Sequence, residues 1–245
     1  MRAVLILVVT LAFAIGATPA RAERVDLELV LLADATGSID RAELMFQRQG
    51  YAEAMRSPEV LAAIAAGFDE KIAVAYVEWA AVNSQDVVVP WMVVDGEASA
   101  EAFAARLMAA PRGAFGRNAI GTALAFGVEL LETNRFEGFR RVIDLSADSA
   151  NSWNGLSIAE GRARAEAADV VVNGLAVLCR AADCSGRPVR YDLERSFAER
   201  IITGPGAFVV TADDAASFAD AVRKKLILEI AGPDAARTRG RADIR

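Results

Sequence analysis

The sequence predicts an α/β fold with a Rossmann-like, doubly wound and mostly parallel six-stranded sheet, one antiparallel edge strand, and helices on both faces. Short aliphatic runs, such as residues 25–33 and 170–177, are typical of strands that are buried on both faces of a parallel sheet. These runs alternate with amphipathic segments, which is the order of elements in a βα fold. The link between residues 72–79 and 85–89 is too short for a helical crossover, so these two strands should be antiparallel.

Local patterns predict each strand and helix in turn. Strands are predicted at aliphatic or alternating runs, which cover residues 25–33, 72–79, 85–89, 141–146, 170–177 and 207–210. Helices are predicted between them, at residues 40–55, 99–109, 120–132, 157–168, 193–202 and 215–230. Capping boxes mark the start of two helices, with Asp40 and Glu43 in the first and Ser157 and Glu160 in the second. The last helix has apolar residues at helical spacing.

The chain divides into three predicted segments. Residues 1–22 have the pattern of a secretory signal peptide, with Arg2, an apolar run and an Ala20-Arg-Ala22 cleavage site. That apolar run is shorter than the roughly 20 residues that span a bilayer. The mature protein should therefore be periplasmic or secreted and have no membrane span. Residues 23–232 should form one domain, and the polar residues 233–245 a disordered tail.

The composition excludes several functions. A formal net charge of -6 argues against a nucleic-acid partner. The chain has no histidine, which excludes Ser-His-Asp catalysis, Cys-His catalysis and zinc sites with histidine ligands. Cys179 and Cys184 lie close together in the sequence. A local disulfide is expected for them in an exported protein, and two unpaired thiols are the alternative.

Polar residues with oxygen ligands lie at three predicted loops. Asp34, Thr36 and Ser38 follow the first strand, Asn118 precedes a helix, and Asp148 follows the strand at 141–146. Open α/β sheets bind their ligands where loops leave the carboxyl ends of the strands. Oxygen ligands favour Mg²⁺, Mn²⁺ or Ca²⁺, whereas zinc and copper prefer nitrogen or sulfur. The sequence therefore predicts a metal site, although such residues also form turns and caps by local hydrogen bonds.

These motifs resemble the metal-ion-dependent adhesion site (MIDAS) of von Willebrand factor A (VWA) domains, and the chain is most similar to uncharacterised exported bacterial members. The family's Asp-x-Ser-x-Ser motif matches Asp34, Thr36 and Ser38, with a threonine in place of the first serine. Its aspartate at the end of the fourth strand matches Asp148. Asn118 stands where the family has a threonine. It is either a ligand through its carbonyl oxygen or a cap of the following helix.

The resemblance covers about residues 25–230 and implies a VWA-like fold with a binding function. In that family the domain is not an enzyme. It holds Mg²⁺ and leaves one coordination position open for a carboxylate of a partner protein. Mn²⁺ and Ca²⁺ are the alternative cations for such an oxygen site.

A second resemblance leads to a different function. Asp34-Ala-Thr-Gly-Ser38 also resembles the first motif of haloacid-dehalogenase-like phosphatases, in which the aspartate attacks a phosphoryl group beside Mg²⁺. Ser146 and the Asp213-Asp214 pair would supply the other motifs. Two catalytic residues of these phosphatases have no counterpart in this chain. Thr36 stands where the phosphatases have their acid/base aspartate, and no lysine lies between Ser146 and Asp213. A metal-free VWA scaffold is the third alternative, which thermal stabilisation by metal would distinguish.

Other conspicuous residues have structural interpretations. Trp79, Trp91 and Trp153 are expected in the core or at the rim of the site rather than as ligand platforms. Asp144 and Ser146 lie in a predicted strand, where packing or hydrogen bonding behind the site would explain them.

Overall fold

The computed structural model describes residues 22–178, 191–213 and 215–242 of the chain. Most of the predicted signal peptide, and the disulfide predicted between Cys179 and Cys184, lie outside the described residues. Within these ranges, no helix combines the length and the apolar character needed to cross a membrane.

The strands of the described ranges form one large and one small sheet. They are β1 (Glu23–Val25), β2 (Leu27–Asp34), β3 (Ile72–Trp79), β4 (Gln85–Val94), β5 (Phe136–Gly138), β6 (Arg141–Ala147), β7 (Val171–Val177) and β8 (Val209–Ala212). The six-stranded sheet has the order β4-β3-β2-β6-β7-β8. Only the pairing of β3 with β4 is antiparallel in this sheet. The predicted fold class is therefore confirmed.

Helices cover both faces of the large sheet. They are α1 (Arg41–Arg56), α2 (Pro58–Ala65), α3 (Glu97–Ala109), α4 (Ile120–Thr133), α5 (Ile158–Ala167), α6 (Leu193–Arg200) and α7 (Ala215–Ala242). Alternate residues of β2 point to opposite faces, so Leu29 and Leu31 pack with α1, α2, α3 and α7. Val30 and Leu32 pack with α4, α5 and α6 on the other face. The central strand β2 is therefore buried on both sides.

The sequence does not predict three short elements, which are β1, β5 and α2. β1 and β5 pair with each other in a separate two-stranded sheet, and each has only three residues, which is too short to show a periodicity. The helix α2 follows α1 directly, and Ser57 accepts a hydrogen bond from Val60 N at its start. Pro58 at the first helical position of α2 marks a helix start in the structure.

Three predicted boundaries differ from those observed. β4 continues past Val89 because it is an edge strand, where Pro90 does not break the ladder. β8 begins at Val209 rather than at 207, because a turn with a hydrogen bond from Ala207 N to Gly204 O occupies the preceding residues. The last helix is predicted to end at residue 230. The helical backbone instead continues to residue 242 after a kink at Gly232, where φ is 75°.

The strand order places a potential binding site at the centre of one sheet edge. The chain runs outwards from β2 to β3 and β4 on one side, and then crosses to β6, β7 and β8 on the other side. Loops after β2 and β6 therefore leave the carboxyl edge in opposite directions, which opens a crevice between them. Ligands of doubly wound sheets bind in such a crevice.

Candidate metal centre

The residues of the predicted site lie on three loops that meet at this edge. Asp34 is the last residue of β2, and Asp148 directly follows β6, which is paired in parallel with β2. The loop that ends at Asn118 is held beside them by a hydrogen bond of 2.8 Å from Gly37 N to Gly116 O. An antiparallel bridge between Ala119 and Ser152 joins this loop to the one that follows Asp148. Sheet topology thus brings together residues that are distant in the sequence.

Hydrogen bonds within the first loop orient its oxygen atoms. Thr36 N donates to Asp34 Oδ1 at 2.8 Å, and the Thr36 and Ser38 hydroxyl oxygens lie 3.1 Å apart. Asp34 and Thr36 are each 1% exposed, whereas Ser38 is exposed to solvent. Asp34 Oδ2 is buried and has no hydrogen-bond partner among the described residues. Because a buried carboxylate oxygen without a partner is costly, this atom is a candidate metal ligand.

Both aspartates of the crevice have a raised pKa. Burial, and then the nearby charge of Asp148, raise the pKa of Asp34 to about 8. Burial also raises the pKa of Asp148, with a contribution from the charge of Glu43, while a hydrogen bond from the Ser38 hydroxyl acts in the opposite direction. Two carboxylates in one poorly hydrated crevice repel each other unless a proton or a cation lies near them. The crevice is therefore electrostatically suited to a cation.

Asn118 does not cap the helix that follows it. The N-cap of α4 is Ala119, and no side chain makes a capping hydrogen bond there. Asn118 Nδ2 instead donates to Ser149 Oγ at 2.6 Å, so its amide faces the loop after β6. Thr122, the other oxygen-bearing residue near this turn, accepts a hydrogen bond from Leu156 N. Of the two roles that the sequence left open for Asn118, the cap is thus not observed.

Two arginines that the sequence analysis did not single out hold the loops in place. Arg112 donates to the carbonyl oxygens of Ala35, Thr36 and Ile39 at 2.6, 3.1 and 2.9 Å. Arg48 is buried and binds both carboxylate oxygens of Glu78 at 2.6 and 2.9 Å. It also donates to the carbonyls of residues 110 and 111, just ahead of Arg112. No local pattern distinguishes these arginines from others, since their acceptors are mostly distant backbone atoms.

The donor set fits a hard cation. Two carboxylates, two hydroxyls and an amide carbonyl are all oxygen ligands of the kind that Mg²⁺ and Ca²⁺ prefer. Among the described residues, no group of three or more histidine, cysteine, aspartate and glutamate side chains is arranged to hold a metal. A cation at this position would therefore have few charged ligands and retain part of its positive charge for an external anion.

Exposed aromatic and arginine side chains surround the site. Phe115 and Trp153 are 58% and 65% exposed, respectively. Arg117 lies over the Trp153 ring at 5.4 Å, and Arg112 over the Phe115 ring at 5.2 Å. Trp153 N donates to Asn118 O at 2.8 Å, which fixes this rim to the candidate ligand. Trp79 is the neighbour of Asp34 in the pairing of β2 with β3, and its side chain is fully buried in the core.

The doubly wound sheet, with this oxygen-rich crevice at its carboxyl edge, is a VWA-like fold, and solved structures of VWA domains have the same fold. A structure of proximal thread matrix protein 1 from the mussel byssus, with a zinc-occupied MIDAS motif, matches with a TM-score of 0.61 and 16% identity over 86% of this chain and 50% of that chain. A von Willebrand factor type A structure from Catenulispora acidiphila matches with a TM-score of 0.56 and 15% identity, over 84% and 43% of the two chains. An aerotolerance-related membrane protein from Bacteroides fragilis matches with a TM-score of 0.53 and 15% identity, over 82% and 98%.

The chain belongs to the family described as "Protein of unknown function (DUF1194)", whose model matches residues 24–234. No curated protein matches the sequence. The chain spans about half of the byssal protein and less than half of the Catenulispora protein. The likeness to these structures thus establishes the VWA fold, as the motifs predicted.

Proposed function

We propose that this protein is an exported, non-catalytic protein-binding module that recognises an acidic group of its partner through a bound divalent cation. The proposed ligands are the oxygen-bearing side chains Asp34, Thr36, Ser38, Asn118 and Asp148. Mg²⁺ is the expected cation, and Mn²⁺ or Ca²⁺ are alternatives with the same ligand preference. The observation that carries this proposal is the buried, unpartnered Asp34 Oδ2 beside the second carboxylate of Asp148.

The ligand chemistry favours capture of an anion. Only Asp34 and Asp148 carry a formal negative charge among the five proposed ligands, and the remaining three are neutral. Mg²⁺ prefers octahedral coordination and keeps exchangeable waters, so a carboxylate from outside can replace one of them. Ser38 is exposed, which leaves the site accessible to such a group.

The surroundings of the site support a protein as the partner. Phe115, Trp153 and Arg117 are of the residue types that contribute most to protein–protein affinity. Cation–π contacts, of Arg117 with Trp153 and of Arg112 with Phe115, favour these side-chain positions before any partner binds. A rigid aromatic rim loses less conformational entropy on binding than flexible side chains do.

Export is supported by the signal-like sequence of residues 1–22. The fold is also shared with a protein from Bacteroides fragilis that is described as an aerotolerance-related membrane protein.

The positions of the lysines weaken the phosphatase alternative. That chemistry needs a lysine near the nucleophilic aspartate, and the chain has lysine only at positions 71, 224 and 225. Lys71 pairs with Glu23 at 3.2 Å, Lys224 is exposed on α7, and Lys225 is buried against Asp144. None of the three contacts Asp34 in the structure.

Partner capture with and without chelator tests the proposed function. The purified protein is immobilised in Mg²⁺, exposed to the exported protein fraction of its source, and washed with EDTA. We expect a partner that EDTA releases and that the variants Asp34→Ala and Asp148→Ala do not capture, although their circular dichroism spectra are unchanged. Asp95→Ala, which alters an exposed carboxylate before α3, is the matched control and should capture normally.

Three results would contradict the proposal. Equal capture by wild type and by both site variants would show that the metal centre takes no part in recognition. Mg²⁺-dependent hydrolysis of an aryl phosphate that disappears in Asp34→Ala would instead identify a phosphatase. If Mg²⁺ does not raise the melting temperature of the wild type, the metal-free scaffold is the better description.

A further inference from the structure

A cavity of about 810 Å³ lies at the amino edge of the sheet, at the opposite end from the metal centre. Its walls come from the first residues of β6 and β7, from the turn at Gly204 to Gly206, and from α7 near Leu228, just before the kink at Gly232. Small-molecule sites in proteins usually enclose about 300–1,000 Å³. The size and depth of this cavity are therefore those of a ligand site.

The walls of the cavity are mostly apolar, with a polar inner end. Val171, Phe208 and Leu228 line its sides, and Asn173 and Glu229 line its buried part. Asn173 and Glu229 are each 2% exposed. An apolar pocket with a few fixed polar groups is the common composition of small-molecule sites.

One carboxylate oxygen at the inner end has no partner. Glu229 Oε1 accepts hydrogen bonds from Lys225 Nζ at 2.6 Å and from Asn173 Nδ2 at 3.0 Å. Asn173 Oδ1 in turn accepts from Phe208 N at 3.2 Å, so the amide is already satisfied. Glu229 Oε2 is buried without a hydrogen-bond partner in the described part of the chain. Because an unpaired buried carboxylate oxygen is costly, a donor from a ligand would stabilise this arrangement.

At the inner end, two cationic side chains act on Glu229, Lys225 through an ion pair and Arg140 through its nearby charge. Lys225 Nζ also pairs with Asp144 at 2.7 Å, so one ammonium serves two buried carboxylates. Arg140, on the cavity wall, donates to the carbonyl oxygens of Glu229 and Ile230 at 2.6 and 2.7 Å. Its charge thus lies against the partial negative charge of a helix end.

A second arginine on the cavity wall, Arg141, also donates to a carbonyl oxygen at the end of a helix. Arg141 donates to the carbonyl oxygen of Ala168, which is the C-cap of α5. The wall also includes the acidic residues Glu166 and Asp169. Of the charged residues that line the cavity, three are acidic and two are basic, which favours a cationic group over an anionic one.

We propose that this cavity binds a small organic amine, whose ammonium group donates to Glu229 Oε2 and whose apolar body packs against Val171, Phe208 and Leu228. A hydrogen bond between an ammonium and a carboxylate is stronger than one between neutral groups. The apolar body gains free energy by leaving water for the apolar walls. This site is separate from the metal centre, and the proposal does not depend on the function proposed above.

A matched series of six-carbon ligands tests the proposal. Hexylamine, hexanol and hexanoate differ only in their head groups, and their binding to the full-length protein is measured by calorimetry in EDTA. We expect hexylamine to bind roughly tenfold or more tightly than hexanol, the factor that about 1.4 kcal/mol provides. Hexanoate should bind least well. Equal affinity for all three, or no binding of hexylamine, would overturn the proposal.

Two variants locate the bound amine. Glu229→Gln removes the carboxylate, so hexylamine should lose its advantage over hexanol. Leu228→Trp fills the cavity from its half-buried wall and should abolish binding of both ligands, which keeps the test valid even if Glu229→Gln does not fold. Glu132→Gln changes an exposed glutamate on α4 and should bind hexylamine as the wild type does. Unchanged hexylamine affinity in Leu228→Trp would show that the amine binds elsewhere.

Discussion

The amide nitrogen of Asn118 donates a hydrogen bond of 2.6 Å to Ser149 Oγ, the residue that follows Asp148. An asparagine side chain has one carbonyl oxygen that only accepts and one amide nitrogen that only donates. With the nitrogen directed towards Ser149, the oxygen Oδ1 remains available as a ligand. This geometry would allow Asn118 to supply an oxygen ligand at the position where the VWA motif has a threonine.

Substitution of Asn118 should change the affinity for Mg²⁺ without unfolding the protein. Asn118→Ala removes one neutral oxygen ligand and should weaken Mg²⁺ binding by about tenfold, within the range seen when groups around a metal are removed. Asn118→Thr supplies a hydroxyl oxygen and should retain most of the affinity. Isothermal titration calorimetry measures both variants. An Asn118→Ala variant that binds as tightly as the wild type would remove Asn118 from the ligand set.

Arg112 should be needed for metal affinity although it is not a ligand. It holds the carbonyl oxygens of Ala35, Thr36 and Ile39 with three hydrogen bonds. A lysine side chain ends in a compact ammonium group rather than a planar guanidinium, so it cannot donate to the three carbonyl oxygens in the same geometry. Arg112→Lys should therefore weaken Mg²⁺ binding about 10–100-fold. Arg106→Lys, on the exposed side of α3, is the control, and equal affinities of the two variants in a titration would contradict this role.

The sequence predicted the parts of the site that depend on local order. Asp34 and Asp148 each follow an aliphatic run, and the carboxyl ends of parallel strands meet at one edge. The predicted capping boxes at Asp40 and Ser157 are confirmed, because a cap depends on residues within one turn. Arg112 could not be predicted in this way, since its acceptors are backbone carbonyls brought near it by the fold.

The sequence also does not predict the buried ion pair of Lys225 and Asp144. The position of Asp144 in a predicted strand indicates only packing or hydrogen bonding. Lys225 is distant from it in the sequence and lies on α7. The two side chains are 1% or less exposed and 2.7 Å apart. A lysine on an amphipathic helix normally faces solvent, so only the packing of α7 on the sheet reveals that this one is buried.

Removal of the Lys225 ammonium should strongly destabilise the fold. Lys225→Met would leave Asp144 and Glu229 buried without their shared cation, at a cost of about 3–5 kcal/mol in the free energy of unfolding. Lys224→Met changes the exposed neighbour on the same helix and should alter that free energy by no more than about 0.5 kcal/mol. Urea denaturation measures both. Similar stability of the two variants would show that the buried pair has little energetic importance.

The stability of the metal-free protein should decrease with rising pH. The pKa of Asp34 is raised from 3.8 to about 8, so the folded state keeps a proton that the unfolded state loses. Glu229, whose pKa is raised from 4.5 to about 7, acts in the same direction. The free energy of unfolding should thus fall between pH 4 and pH 8, by at most about 1.4 kcal/mol per pH unit for each proton.

Denaturation in EDTA at several pH values tests this dependence. Asp34→Asn cannot ionise, so its stability should change little between pH 7 and pH 8, where the wild type still loses stability. Saturating Mg²⁺ should remove the part of the wild-type decrease that Asp34 causes, because the cation displaces its proton and binds more tightly as pH rises. The smaller decrease caused by Glu229 should remain. A wild-type protein that becomes more stable from pH 5 to pH 8 in EDTA would contradict the raised pKa values.

Calorimetric titration of the metal-free protein with Mg²⁺ tests the central claim most directly. The claim is that Asp34, Thr36 and Asp148 hold one divalent cation at the carboxyl edge of the sheet. We expect one binding site in the wild type and in the exposed-carboxylate control Asp95→Asn. Asp34→Asn and Asp148→Asn should show no measurable binding, and Thr36→Val should bind more weakly than the wild type. A wild type without any binding heat, or site variants that bind Mg²⁺ as the wild type does, would contradict a metal centre at these residues.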